Sequence, residues 1–188
     1  EFYLPRITGS AYFKDSQEFT KGSVVYDGFL YEDVPLLYDL YRDVVVSVFY
    51  EENFKFNLIS EKITDFKIDN HHFIYVNKGL DSAKSVGKTG FYDLLHNGKI
   101  KIYSKRTKLL KEVNDSRYAR QFFESKNFYY LEKDKTLYSF SSLGSFLSLF
   151  KKERSEMRKY LKKNEIRYKD NPERAMVLLA NYYDTLTN

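Results

Sequence analysis

The stretch GSVVYDGFLYEDVPLLYD, residues 22–39, decides how the chain is read. Within it Asp27-Gly28 separates two β-prone triplets, Val24-Val25-Tyr26 and Phe29-Leu30-Tyr31. A type I′ turn needs positive φ at both central residues, and Asp-Gly accepts this readily, so a two-residue hairpin is expected. A further run, Leu36 to Leu40, follows. Working outward, Val44 to Tyr50 is apolar at both alternations (Val44, Val46 and Val48; Val45 and Phe49), the pattern of a central strand. Phe54 to Leu58 alternates as a half-buried strand does, and Ile63 to Ile68 and Phe73 to Val76 are weaker strand runs. A second hairpin is expected from Phe91 to Tyr103 about Asn97-Gly98, and a third from Phe128 to Phe140 about Lys133-Asp134. Residues 105–126 are mixed and basic, and fit either a strand or a loop with a helical turn. Asn77 to Gly90 reads as a long polar loop, and residues 1–21 as an irregular arm punctuated by Pro5 and Gly9.

After Ser141 the apolar period lengthens. Ser141 or Ser142 can cap a short helix carrying Leu143, Phe146, Leu147 and Phe150. Lys152 to Lys163 places Met157, Tyr160 and Leu161 on one helical face. Asn171-Pro172 supplies an N-cap followed by proline at the first helical position, opening a last helix whose stripe is Ala175, Leu179, Tyr182, Tyr183 and Leu186. Strands first and helices last define an α+β fold. The expectation is a mainly antiparallel curved sheet or partial barrel of about eight to ten strands with two or three C-terminal helices. It divides into an arm (1–21), a β domain (22–140) and a helical segment packed on the sheet (141–188).

Composition bounds the chemistry. The chain of 188 residues holds 18 Tyr and 16 Phe but no Cys, which excludes disulfides, thiolate metal sites and cysteine nucleophiles. A net charge of +5 comes from 31 basic and 26 acidic residues, a modest and well-mixed excess that does not by itself indicate nucleic acid. No apolar run approaches the roughly 20 residues of a transmembrane helix. The sequence begins at Glu1 rather than Met, as expected of a chain whose leader has been removed or that begins inside a longer one.

No catalytic constellation is visible, so neither an enzyme nor a cofactor is expected. Gly87-Lys88-Thr89 lacks the glycine five places earlier that a phosphate loop requires, and the hairpin after it is not a helix. His71 and His72 are neighbours on a strand and point to opposite faces, so they do not share a metal, and His96 flanks a turn. No Gly-x-Ser-x-Gly elbow is present. Lys99, Lys101, Tyr103 and Lys105 fall on one strand face, a candidate basic surface or interface. Solvation is the commoner fate of such a run, so nucleic-acid binding ranks behind other readings.

Three blocks together carry a resemblance: residues 22–39, GFYDLLHNGKIKIY (Gly90 to Tyr103) and NFYYLEKDKTLYSF (Asn127 to Phe140), with Asn181-Tyr182-Tyr183-Asp184 near the end. In these the chain resembles a group of uncharacterised exported proteins of Bacteroidota. The resemblance implies a periplasmic or outer-membrane-associated location and is silent on activity. It also brings in the Asp-Ser/Thr-apolar O-glycosylation acceptor of such bacteria, matched by Asp81-Ser82-Ala83 and Asp184-Thr185-Leu186, with Ser82 in the expected loop as the candidate. The functional expectation is a non-enzymatic accessory or scaffold subunit of an outer-membrane or periplasmic assembly with protein partners. The alternative is a module that binds a glycan, lipid or other polymer on an aromatic-lined sheet.

Overall fold

The structure, a computed structural model, describes residues 6–49, 54–77, 87–115 and 118–186. Its strands are β1 (Arg6–Thr8), β2 (Thr20–Tyr26), β3 (Phe29–Asp39), β4 (Val44–Phe49), β5 (Phe54–Asn57), β6 (Ile63–Ile68), β7 (His71–Val76), β8 (Gly90–Asn97), β9 (Lys101–Asp115), β10 (Tyr118–Lys133) and β11 (Thr136–Phe140). Helices α1 (Leu143–Ser148), α2 (Arg154–Lys163) and α3 (Pro172–Leu186) follow. The strands join in the order β1-β10-β9-β8-β7-β6-β2-β3-β4-β5, with β11 also paired to β10. The fold is α+β and mainly antiparallel, as expected, with eleven strands among the described residues. The arm supplies an extra one: β1 lies parallel to β10, with Arg6 opposite Arg120. Of the stretch 105–126, ambiguous in sequence, residues 105–115 belong to β9 and residues 118–126 to β10.

Asp27 (φ 49°) and Gly28 (φ 83°) both take the left-handed region, as a type I′ turn demands. Asp134 (φ 51°) and Lys135 (φ 61°) do the same, so the third hairpin turns one residue later than expected. The runs Phe29 to Tyr31 and Leu36 to Leu40 are, up to Asp39, parts of one strand, β3, interrupted by a bulge. Gly22 faces Val34 and Val24 faces Tyr31, which leaves one extra β3 residue in between. Asp33, with φ 54°, takes up that residue. Gly22 itself allows the close approach of β2 and β6, since a Cβ there would lie 2.2 Å from the Lys67 carbonyl oxygen.

Two compact units form, and β8, β9 and β10 each give residues to both: Glu1–Asn77, Thr89–Tyr92 and Arg106–Asn127 make one, Lys78–Lys88, Asp93–Lys105 and Phe128–Asn188 the other. The first has an aromatic core in which Tyr38 meets Phe66 (5.2 Å between centroids), Phe73 (5.0 Å) and Phe91 (5.8 Å) edge-on, while Phe66 stacks on Phe73 at 4.8 Å. The second gathers Ile102, Leu131 and Phe140 from strands and Ile100 from the β8–β9 turn with Phe146, Met157 and Leu179 from the helices. The change of period after Ser141 therefore marks where helices begin. The helices share their core with strands of the second unit.

The described part of the arm is tied down by contacts with the rest of the first unit. Tyr12 bridges to Asp39, and the guanidinium of Arg106 lies 5.8 Å from the Phe13 ring centroid. The buried Lys108 ammonium donates to the Ser10 carbonyl at 2.5 Å and to the Asp15 carboxylate. Chiefly through that hydrogen bond, Lys108 holds the Asp15 carboxyl below its ordinary value. A carboxyl with a lowered folded pKa contributes stability above its unfolded pKa, and the contribution is lost as pH falls through the folded value. Lys108→Met should cost about 1–3 kcal/mol at neutral pH, mostly through the orphaned Ser10 carbonyl. The deficit should narrow, by less than about 1 kcal/mol because Asp15 is exposed, as urea unfolding is repeated at pH values below about 4. A deficit unchanged with pH would show that the Asp15 pairing contributes nothing.

Candidate functional site

In the first unit the buried core ends before the sheet does. β3 is buried from Pro35 to Asp39 and exposed from Phe29 to Asp33. The β3–β4 register runs from Asp39 opposite Val44 to Leu36 opposite Ser47, and β4 meets β5 with Phe49 opposite Phe54. Phe49 and Phe54 therefore lie at the same end of the sheet as the β2–β3 turn. The bulge at Asp33 decides which way the exposed end of β3 faces. Beyond it Phe29 and Tyr31 share a side with Val24, Leu36 and Tyr38, the side of the core. On β4 and β5 that side carries Val45, Phe49, Phe54 and Phe56.

The outcome is an aromatic ledge. Phe29 is 68% exposed, Tyr31 49%, Phe49 56% and Phe54 58%, and Phe49 stacks on Phe56 at 4.5 Å. At about 200 Å² per ring and roughly half exposure, four rings offer on the order of 400 Å² of apolar surface, as large as the largest patch on a typical monomer. Leu30 is exposed on the other side of the hairpin. Near the turn Asp27 and Lys62 pair at 2.7 Å, and the carboxylate raises the Lys62 pKa. Lys55 sits 5.3 Å from the Phe19 ring centroid. Among the described residues Lys55, Glu32 and Asp33 form no ion pair.

The residues singled out in sequence fall elsewhere. Lys99 is exposed, and its backbone N–H donates to Asp184 at 3.1 Å. Lys101 is half-buried, with its ammonium 3.8 Å from the Glu132 carboxylate. Tyr103 is buried and its hydroxyl donates to Glu132 at 2.8 Å; burial first and that carboxylate second push its ionisation well above the ordinary phenol range. Lys105 is buried as well. The basic surface expected along this strand thus reduces to Lys99 and Lys101, because β9 is covered on both faces here. Ser82 lies outside the described residues.

Two histidines do meet carboxylates. His72 Nε2 is 2.9 Å from Asp65 across β6 and β7. His96 Nε2 is 2.9 Å from Asp184, whose other oxygen accepts the Lys99 N–H, so α3 clasps the β8–β9 turn. Gly98 makes room for this, since a Cβ there would lie 1.9 Å from the Asp184 carboxylate. Two of the sequence blocks behind the resemblance, the His96-Asn97-Gly98 turn and Tyr182-Tyr183-Asp184, meet at this contact. A cleft of the second unit, about 740 Å³, is lined by neither pair; Leu161 and Ile166 meet Arg158, Lys162 and Arg167 there, beside Glu165 and Asp170. Among the described residues no three of His, Asp and Glu gather as metal ligands, and no helix is long and apolar enough to cross a membrane.

Comparison of the chain with protein-family models, curated proteins and solved structures gives no match.

If the ledge is an interface rather than core, Phe29→Ser combined with Tyr31→Ser should leave stability within about 0.5 kcal/mol of the parent. Phe66→Ala, at full burial, should cost roughly 3–5 kcal/mol in the same urea titration. A comparable loss in the double serine variant would return these rings to the core.

Proposed function

We propose that the chain is a non-enzymatic accessory or scaffold subunit that docks on a protein partner through the aromatic end of its first unit. The observation that carries this reading is the exposure of Phe29, Tyr31, Phe49 and Phe54 on one side and at one end of a sheet whose core they continue. Aromatic rings at the centre of a protein interface supply large contact area for little side-chain entropy. Placement in an outer-membrane or periplasmic assembly is supported by the likeness of the sequence blocks to exported Bacteroidota proteins. A ligand-binding module is the second reading, and what favours it is the cationic cleft of the second unit, whose volume lies in the small-molecule range. The cleft residues include no aromatic ring, so the expected aromatic platform is not what would hold a ligand there.

A tagged chain drawn from gently solubilised membranes of its native host should carry a barrel or secretion component in stoichiometric amount. Phe29→Ser with Tyr31→Ser should reduce that recovery by roughly tenfold or more while the chain still folds. Recovery of the chain alone from the soluble fraction, or equal recovery by the variant, would count against docking by the ledge and move the work to ligands of the cleft.

A further inference from the structure

β5 is the last strand in the sheet order and is bonded only to β4 among the described residues. Its hydrogen-bonding phase can be read from one contact: the Leu58 N–H donates to the Val45 carbonyl at 2.8 Å. Backbone groups alternate in direction along an antiparallel strand. Phe54 and Phe56 therefore turn their N–H and C=O groups toward β4, and Lys55 and Asn57 turn theirs toward the open edge. The side chains alternate in step with this, across the faces. Phe54 and Phe56 lie on the ledge side, and Lys55 and Asn57 lie on the other. Among the described residues the outer edge of β5 is bare, with unfinished apolar surface on one face and, on the other, a cation that lies over the Phe19 ring but has no anionic partner; such an edge is a template for one more strand.

We infer that β5 receives an extended segment of the protein partner as an added strand, a proposal that rests on the docking role given above. The incoming segment places apolar side chains over Phe54 and Phe56 and an acidic side chain against Lys55. Charge argues for a different chain over a second copy. Pairing β5 with itself about a two-fold axis sets two Lys55 ammoniums on the same face of the joint, where like charges repel.

Selecting a randomised decapeptide display library on the full chain tests this. Enriched sequences should alternate apolar with polar residues and carry Asp or Glu at one polar position. Added as synthetic peptides, they should slow amide hydrogen exchange at Lys55 and Asn57. Asn57→Pro removes an outward donor without touching the β4 ladder and should weaken them by roughly tenfold or more, whereas Asn57→Ala should not. Lys55→Glu should shift preference from acidic peptides to the same peptides with Lys in the acidic place. That exchange keeps the test valid if the proline variant folds poorly. Several results would overturn strand addition: no alternating sequence enriched, peptides that bind Asn57→Pro like the parent, or a chain that itself dimerises through β5. If the native complex survives Asn57→Pro but is lost with the ledge serines, the docking role stands and the added strand falls. Loss of neither would remove the docking role itself.

Discussion

Asp33 takes a left-handed φ of 54°, and that one residue sets the direction in which the exposed end of β3 looks. Side chains alternate along a strand, so one extra residue reverses every position beyond it. With the bulge, Phe29 and Tyr31 continue the side of Val34, Leu36 and Tyr38, while Leu30 turns away. Asp tolerates this backbone region better than most residues. Pro35, two residues on, has no N–H to give to a ladder, which also suits a strand that is already irregular there. Its carbonyl is used instead, accepting from the Ser47 hydroxyl at 2.9 Å.

Polar contacts then fasten what apolar packing leaves loose. In the first unit Asp39, buried at the end of β3, accepts from the Tyr41 and Arg42 backbone N–H groups and from the Arg42 guanidinium, which shapes the β3–β4 turn. Lys108 does the same for the arm. In the second unit Asp184 holds the β8–β9 turn and His96 together, while Lys133 lies about equally close to the Phe150 and Tyr183 rings, at 5.2 and 5.0 Å. Each of these groups is charged, yet each sits where a buried or half-buried partner makes the charge structural. None lies on the ledge. The ledge is therefore left to rings, half or more exposed, with Phe49 stacked on Phe56.

Much of the architecture was legible because it rests on local chemistry. Asp27-Gly28 announced its turn, Ser142 and Asn171-Pro172 announced their helices, and Ser142 and Ser145 cap one another reciprocally as a helix start requires. The elements that escaped depend on distant contacts. Lys108 reads as a solvated cation until Ser10 and Asp15 are brought to it, so the arm looked irregular. The alternating charges of residues 105–126 suit a strand only once a neighbour is supplied. The ledge was hidden for a different reason. Phe29-Leu30-Tyr31 is apolar at every position, and that pattern is the same whether a strand is covered on both faces or on neither. The acidic pair Glu32-Asp33 after it was the one local hint that burial stops there.

Hydroxyl-radical footprinting reads the ledge most directly, with the isolated chain compared against the chain in membranes of its native host and Phe29, Tyr31, Phe49 and Phe54 followed by mass spectrometry. All four rings should oxidise readily in the isolated chain and be protected severalfold in the membranes, while Tyr38 and Phe66 stay protected in both. Equal oxidation of the four rings in the two samples would contradict a docking role for this end of the sheet.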